Sequence, residues 1–320
     1  MRNLLCGRGG YTRGMGPRGE RRAQVSHAMA QLNIIAMNLG PGPHLTGLRL
    51  MNGVVSPEES DCFHDLIVQQ ELARQGQRGY GDMVYSSVFH HHFGSSELKA
   101  RIIPEVLSCK KLCAFSEAFS GSDVAGMRTP ATKTLDGRFA DFFTVPCHTD
   151  NGITIILVKR GEGVNTKPIK TMYSAAAGTA FVTLDNVKVP IENTSVPKTV
   201  ACLSSSQTST TSTGCSATSD YRKCIQRKAF GKPLASQAVV RSKVAAMIAR
   251  AESCQSWLEN VTHQMNMSYK EQARKLAGPI ALLKKHVTQC SLETAKGAVQ
   301  IFGGRGATKT GMGQWHIEDV

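Results

Sequence analysis

The chain has 320 residues, of which 41% are hydrophobic, and a formal net charge of +14 at pH 7. This length can hold two or three domains with a sizeable core, and no apolar run approaches the roughly 20 residues that a membrane span needs. The basic charge suits nucleic acid and phosphate-rich small ligands equally, so it does not select a function. The ten cysteines show no CxxC pair. No secretory signal peptide is visible, so we expect reduced intracellular thiols. We expect no metal site, because consecutive histidines such as His90 to His92 cannot converge on one ion without further ligands.

Residues 1–30 are predicted to form a disordered basic tail. Six arginines and one glutamate lie in residues 1–22, with almost no aliphatic periodicity. Its Arg-Gly pairs resemble segments that bind RNA loosely, and an Arg-rich, acid-poor N-terminus also fits a mitochondrial transit peptide. A tail without a role is the third alternative.

Residues 31–110 are predicted to form a shortened helical N-terminal domain. Ser56 can cap a helix, Pro57 suits its first position, and Glu59 completes a capping box. This helix should end near Arg74. Its buried face is predicted to hold Phe63, Leu66 and Ile67. A second helix should begin near Ser96 and end where it meets Pro104.

The segment from Leu112 to Gly126 begins with an apolar run and continues into small residues. This pattern predicts a buried strand, over residues 112–115, that enters a polar loop. Gly121 and Gly126 allow backbone to approach a bound group closely, and exposed N–H groups can hold a phosphate or an electron-rich ring. From the residues alone, an ordinary turn is an equal alternative.

A middle β-domain is predicted over residues 111–200. Two β-prone runs, Phe139 to Thr149 and Ile153 to Arg160, flank an Asp-Asn-Gly sequence that predicts a hairpin. The run from Thr179 to Val189 predicts a further strand pair around Asp185-Asn186.

The C-terminal part is predicted to be helical again, over residues 223–320, after an altered low-complexity segment over residues 201–222. One helix is expected from Arg241 to Met265 and a second from about Lys270 to Phe302, with a kink at Gly278-Pro279. Gly303-Gly304 should end the second helix. Helices, then strands, then helices indicate the α+β class.

Three motifs in this order resemble the acyl-CoA dehydrogenase family of flavoproteins. They are the Ser-Glu and Gly-Ser-Asp-Val-Ala-Gly of Leu112–Gly126, the Gln-Arg-Lys-Ala-Phe-Gly-Lys-Pro-Leu of Gln226–Leu234, and the Gln-Ile-Phe-Gly-Gly-Arg-Gly of Gln300–Gly306. The resemblance covers roughly residues 32–313. It implies a helical N-terminal region, a middle β-sheet or barrel domain and a C-terminal helical bundle. It also implies FAD as cofactor, an acyl-CoA substrate, and a homodimer or homotetramer that passes electrons to a flavoprotein or to oxygen.

The resemblance also implies which residues contact FAD. Near the flavin it implies Ser116 and Ser122, the latter also beside the substrate. It places Arg227 on the pyrophosphate, with Phe230 and Gln237 as further contacts. On the adenosine side, from a neighbouring subunit, it implies Gln300, Gly303 and Gly304. Taken alone, Arg227 could instead be a solvated surface charge, and the two glycines could be a helix C-cap.

The chain departs from the family in three places. A strand with a Trp-Ile-Thr/Ser segment, which lies against the flavin, is missing between Gly137 and Arg138. Residues 201–219 stand where the family has a substrate-lining helix; a flexible Ser/Thr linker and a local reading-frame shift are the two interpretations, which the coding DNA would distinguish. The family's catalytic glutamate would fall beyond Val320, and no glutamate matches its alternative position, so we expect no catalytic residue.

We therefore expect an FAD-dependent oxidoreductase that dehydrogenates acyl-CoA thioesters at the α,β bond, in a copy whose activity is impaired. One alternative is a non-enzymatic remnant or flawed gene model. The other is a nucleic-acid-associated flavoprotein, although nucleic acid is the less expected partner. Fatty acid metabolism in the mitochondrion or cytoplasm is the expected setting.

Overall fold

A computed structural model describes residues 27–74, 94–108, 110, 113–115, 131–134, 141–149, 152–169, 180–195, 226–267 and 275–308. The chain divides into two compact units. The first comprises Met1–Ser60 and Arg78–Thr199, and the second comprises Asp61–Gln77 and Val200–Val320. No helix within the described ranges is long and apolar enough to cross a membrane. Residues 1–26 of the predicted basic tail, the loop after residue 115 and the low-complexity segment lie outside the described residues. The predicted tail is wrong at its C-terminal end, because residues 27–30 are helical and Met29 is buried.

The elements follow the predicted order of helices, strands and helices. The α-helices are α1 Ile34–Met37, α2 Cys62–Arg74, α3 Ser96–Leu107, α4 Ala238–Met267 and α5 Ala277–Phe302. The strands are β1 Cys113–Phe115, β2 Ala131–Thr134, β3 Phe142–Thr149, β4 Gly152–Lys159, β5 Val164–Pro168, β6 Ala180–Leu184, β7 Thr194–Ser195, β8 Lys228–Ala229 and β9 Lys232–Pro233. This order confirms the predicted α+β class.

The first unit contains two sheets. One has four strands in the order β1-β3-β4-β7, and the other has three in the order β2-β6-β5. Strands β3 and β4 are antiparallel, with Thr149 opposite Gly152, which is the pairing that the predicted hairpin requires. The core of this unit includes a buried cluster of Phe143, Val145, Val158, Val164 and Val182.

The strand pair predicted around Asp185-Asn186 is wrong in its second half. Strand β6 ends at Leu184 and pairs with β2 and β5, and residues 187–190 form no strand. The Asp185 N–H donates to Gly163 O at 2.9 Å, and Asn186 has a positive φ of 49°. Val187 and Val189 pack against the sheet core, so their apolar character reflects packing and not strand pairing.

Helix α3 begins where the sequence predicts but continues past its proline. The Ser95 hydroxyl accepts from the Leu98 N–H at 3.2 Å, which caps the first turn. The helix runs through Pro104 to Leu107, so the predicted end is wrong. A proline inside a helix costs about 3 kcal/mol. Burial of an apolar face offsets that cost. The face consists of Leu98, Ile102 and Val106, packed on Phe142 and Leu157.

Helix α2 begins later than predicted. The Asp61 carboxylate oxygen Oδ1 accepts from the N–H groups of Phe63 and His64 at 3.0 and 3.1 Å, so Asp61 is the N-cap. The Ser56 hydroxyl instead donates to Glu59 Oε2 at 2.8 Å within a preceding turn. The helix ends at Arg74, as predicted. Its predicted apolar face is partly wrong, because Ile67 is 55% exposed while Leu66 and Val68 are buried.

Helices α2, α4 and α5 build the second unit around one core. Helix α4 extends the predicted helix at both ends. Helix α5 begins at Ala277, after a helical residue at Lys275 and a turn at Leu276. Residues 268–274 lie outside the described ranges, so the kink at Gly278-Pro279 stays a prediction. The proline lies in the first turn, where its missing N–H would have had no intrahelical partner. The core of the unit consists of Cys62, Leu66, Cys254, Leu258, Val261, Met265, Leu276, Ile280, Leu283, Val287 and Cys290.

Candidate functional site

A groove of about 680 Å³ lies at the C-terminal end of α5. The chain reaches it from two directions, since the segment before β8 forms one wall and the 3-10 turn Gly303–Ala307 forms another. The lining residues are Gln226, Arg227, Phe302, Gly304, Arg305 and Thr308. The second and third sequence motifs therefore meet at one site in the same chain.

Arg227 is held against the end of α5 by two hydrogen bonds. Its Nη1 donates to the carbonyl oxygens of Ile301 and Phe302, at 3.1 Å each. These oxygens belong to the last turn, where backbone carbonyls lack intrahelical partners and the helix carries partial negative charge. Both hydrogen bonds use Nη1. Among the described residues, no atom accepts a hydrogen bond from Nε or Nη2. Those nitrogens can serve a ligand in the groove.

Two glycines of the third motif allow the backbone to pack closely here. Gly303 caps α5 with φ 60°, and a Cβ on it would lie 3.2 Å from Arg227 Nη1. A Cβ on Gly306 would lie 2.7 Å from the Val299 carbonyl oxygen. Gly304 differs, because a Cβ there would meet no atom within 4 Å. Gly303 and Gly306 thus serve the fold, while Gly304 leaves space in the groove.

Phe230 occupies a strained and exposed position. It forms the two-residue turn between β8 and β9 with Gly231, and their φ angles are 54° and 74°. Two positive φ angles are typical of a type I′ hairpin turn, which favours Asn and Gly. The Phe230 side chain is 95% exposed. An aromatic residue held in a strained, exposed conformation indicates a contact with something outside this chain.

The two predicted glutamines flank the groove and do not line it. Gln237 directly precedes α4, and its carbonyl oxygen accepts from the Arg241 N–H at 3.1 Å. Gln300 accepts a hydrogen bond from Lys243 through its side-chain oxygen, which joins α5 to α4. The remaining predicted contacts, Ser116 and Ser122, lie outside the described residues.

Sequence reasoning missed four groove residues, Gln226, Phe302, Arg305 and Thr308. Arg305 lies inside the third motif, so its charge was the available signal. Gln226 begins the second motif, and Thr308 follows the third. The lining side chains include two arginines and no acid, so the groove suits an anionic ligand such as a phosphate.

Comparison with known proteins identifies the family. The family model "Acyl-CoA dehydrogenase, C-terminal domain" matches residues 215–320. The acyl-CoA dehydrogenase apdG of Emericella nidulans is 31% identical over 300 residues, covering 81% of this chain and 68% of that protein. This chain belongs to the acyl-CoA dehydrogenase family. The family resemblance predicted from three sequence motifs is therefore confirmed.

Two solved structures show the same fold. Butyryl-CoA dehydrogenase from Megasphaera elsdenii superposes with a TM-score of 0.71 at 17% identity, covering 95% of this chain and 93% of that one. The FAD complex of PigA superposes with a TM-score of 0.73 at 17% identity, covering 94% and 86%. The predicted acyl-CoA dehydrogenase fold is confirmed, and the cofactor of this family is FAD.

Proposed function

We propose that this acyl-CoA dehydrogenase family member binds FAD through the Arg227 groove and acts on the α,β bond of an acyl-CoA thioester. One observation carries the proposal. The Arg227 guanidinium is fixed on the Ile301 and Phe302 carbonyl oxygens beside Gly303. A planar cation with free donors, in a groove without an acid, matches a pyrophosphate.

Each groove residue then has a distinct part in holding the cofactor. Arg227 donates through Nε and Nη2 to phosphate oxygens, and Arg305 adds a second positive charge. Gly304 leaves room for the phosphates. It lines the groove, and the space where a side chain would lie is open. Phe230, Gln237 and Gln300 remain proposed contacts at the rim. Since Arg227 contacts the end of α5 beside Gly303 and Gly304, we propose that all three act on the same FAD, across a subunit interface of a homodimer or homotetramer.

Bound FAD supplies the two-electron acceptor for α,β-dehydrogenation. The chain must orient the thioester and remove the α proton with a positioned base. Ser116 and Ser122 remain proposed flavin contacts.

Residues 196–225 contain no glutamate, and the flavin-facing Trp-Ile-Thr/Ser segment is missing after Gly137. These two features support the proposal that this copy has impaired activity. The mitochondrial or cytoplasmic location and the electron acceptor stay predictions.

The cofactor proposal is tested by titrating the full chain with FAD. We expect Arg227→Lys to weaken FAD binding by about 10- to 100-fold. Lysine keeps the charge but lacks the planar guanidinium whose separate nitrogens can reach the helix-end carbonyls and a phosphate in fixed directions. Quenching of flavin fluorescence measures the affinity, and gel filtration followed by visible absorption shows retained flavin.

Arg241→Lys is the matched control for this titration. The Arg241 Nη1 also donates to two carbonyl oxygens, those of Ala235 and Ser236 at 3.4 and 2.7 Å, but Arg241 does not line the groove. Its substitution should leave FAD affinity unchanged. Equal losses in both variants, or no flavin retained by the wild-type chain, would contradict the groove as the FAD site.

A further inference from the structure

Two cysteines and a histidine converge in the core of the helical unit, and none of them lines the groove. Cys254 lies on α4, while His286 and Cys290 lie one turn apart on α5. The two sulfur atoms and a ring nitrogen of His286 all lie within 4.8 Å of one another. Cys254 and Cys290 are buried, and His286 is half-buried. Three side chains with metal-ligating atoms therefore face one point.

The spacing of these atoms matches that of ligands on a single ion. His286 Nε2 lies 3.5 Å from Cys290 Sγ. Bonds of about 2.3 Å to sulfur and about 2.0–2.1 Å to nitrogen, at a tetrahedral angle, place two ligand atoms of one Zn²⁺ about 3.5 Å apart. Both side chains of α5 thus have the required separation without movement of the helix.

The histidine distinguishes this cluster from ordinary apolar packing. Buried cysteines often serve as small apolar side chains, as Cys62 does in the same core. An imidazole between two thiols adds a polar ring with a lone pair. The His286 ring also packs on Trp257, with centroids 5.7 Å apart, and this contact orients Nε2 toward the sulfur of Cys290.

We propose that Cys254, His286 and Cys290 bind one thiophilic metal ion, Zn²⁺, between α4 and α5. Two thiolates and a neutral imidazole form a complex with Zn²⁺ that has no net charge, which a buried position favours. The same ligands on Cu⁺ would leave a buried negative charge. Among the described residues, no fourth cysteine, histidine or acid joins the cluster. A water on the half-buried side of His286 completes the tetrahedron.

Metal binding at this site depends on pH in a defined direction. Burial, followed by the nearby Cys290, raises the pKa of the Cys254 thiol to about 12. Thiolates and not thiols bind metal ions, so binding of the ion releases protons and weakens as the pH decreases.

The test uses the full chain, reduced and dialysed against metal-free buffer. We expect one Zn²⁺ per chain in a titration against a chromophoric chelator, and a thiolate-to-metal charge-transfer band when Co²⁺ is used. Cys254→Ser and Cys290→Ser should each weaken Zn²⁺ binding by more than about 100-fold, since losing even an outer-shell partner costs 10- to 100-fold. Cys62→Ser, a substitution in the same core but outside the cluster, should leave the stoichiometry unchanged.

His286→Gln provides a second variant at the half-buried edge, in case a serine in the core prevents folding. Thermal unfolding of each metal-free variant establishes that it is folded, and only the wild type and Cys62→Ser should gain melting temperature with Zn²⁺. Folded, reduced wild-type chain without bound zinc would overturn the proposal. Equal loss of binding in the Cys62→Ser control, or a preference for Cu⁺ over Zn²⁺, would overturn it as well.

Discussion

Arg227 and Gly303 depend on one another at the end of α5. The guanidinium satisfies the carbonyl oxygens of Ile301 and Phe302, and it fits there because position 303 has no side chain. The proposed cofactor binding and the termination of α5 therefore depend on the same guanidinium group. The sequence indicated two alternatives for the glycine pair, a helix C-cap and a cofactor contact. In the structure Gly303 is the C-cap, and it also borders the proposed phosphate site.

Replacing Gly303 with alanine should destabilise the helical unit by about 1–3 kcal/mol. Its φ of 60° and ψ of −139° are unfavourable for an L-residue, and the new methyl group would press on Arg227 Nη1. Urea unfolding followed by far-UV circular dichroism measures the change. Gly304→Ala is the control, because its methyl group would meet no atom within 4 Å. It should change the unfolding free energy by less than about 0.5 kcal/mol. Equal effects at both positions would contradict this account.

At the start of helix α2, the predicted capping residues do interact with each other, but the N-cap is a different residue. The Ser56 N–H does donate to Glu59 Oε2 at 3.3 Å, which is one of the two bonds of a capping box, but these residues close a turn. Asp61 caps the helix instead, and its second carboxylate oxygen also accepts from Asn266 Nδ2 at 2.9 Å. The sequence pattern predicted only Ser56 as the cap. Asp61 also contacts distant α4, and this contact cannot be predicted from local sequence.

Asp61→Ala should destabilise α2 by about 1–2 kcal/mol, because two N–H groups of its first turn lose their acceptor. Asp61→Asn should retain most of the stability, since an amide oxygen also caps a helix. Hydrogen exchange of the peptide Cys62–Arg74 measures the effect directly, and faster exchange is expected only in the alanine variant. Ser56→Ala is the control and should leave this peptide unchanged. Faster exchange in Ser56→Ala would restore Ser56 as the cap.

At the scale of the whole molecule, local sequence patterns predicted the helices and strands. Long-range contacts determined which strands pair and which distant side chains meet. The hairpin of β3 and β4 and the end of α5 follow from short stretches of sequence. The pairing of β6 with β2 and β5 does not, because partners from distant segments determine it. The same holds for the proposed metal ligands, since the cysteine of α4 meets the histidine and cysteine of α5 only in the folded unit. The family motifs predicted Arg227 and the two glycines, but not their direct contact.

Turnover depends on the whole chain, and it should be low even when FAD is bound. In the impaired copy that we propose, the lack of a general base lowers the rate by about 10²- to 10⁴-fold, and the lack of the flavin-facing segment after Gly137 removes part of the cofactor's surroundings. We expect the flavin-loaded chain to reduce an artificial electron acceptor slowly with acyl-CoA substrates of several chain lengths. Butyryl-CoA dehydrogenase, assayed in parallel, provides the reference rate, and chemical reduction by dithionite shows that the bound flavin is competent. Turnover near the reference rate would disprove the impairment while leaving the FAD groove intact. Absence of flavin would instead place the defect in cofactor binding.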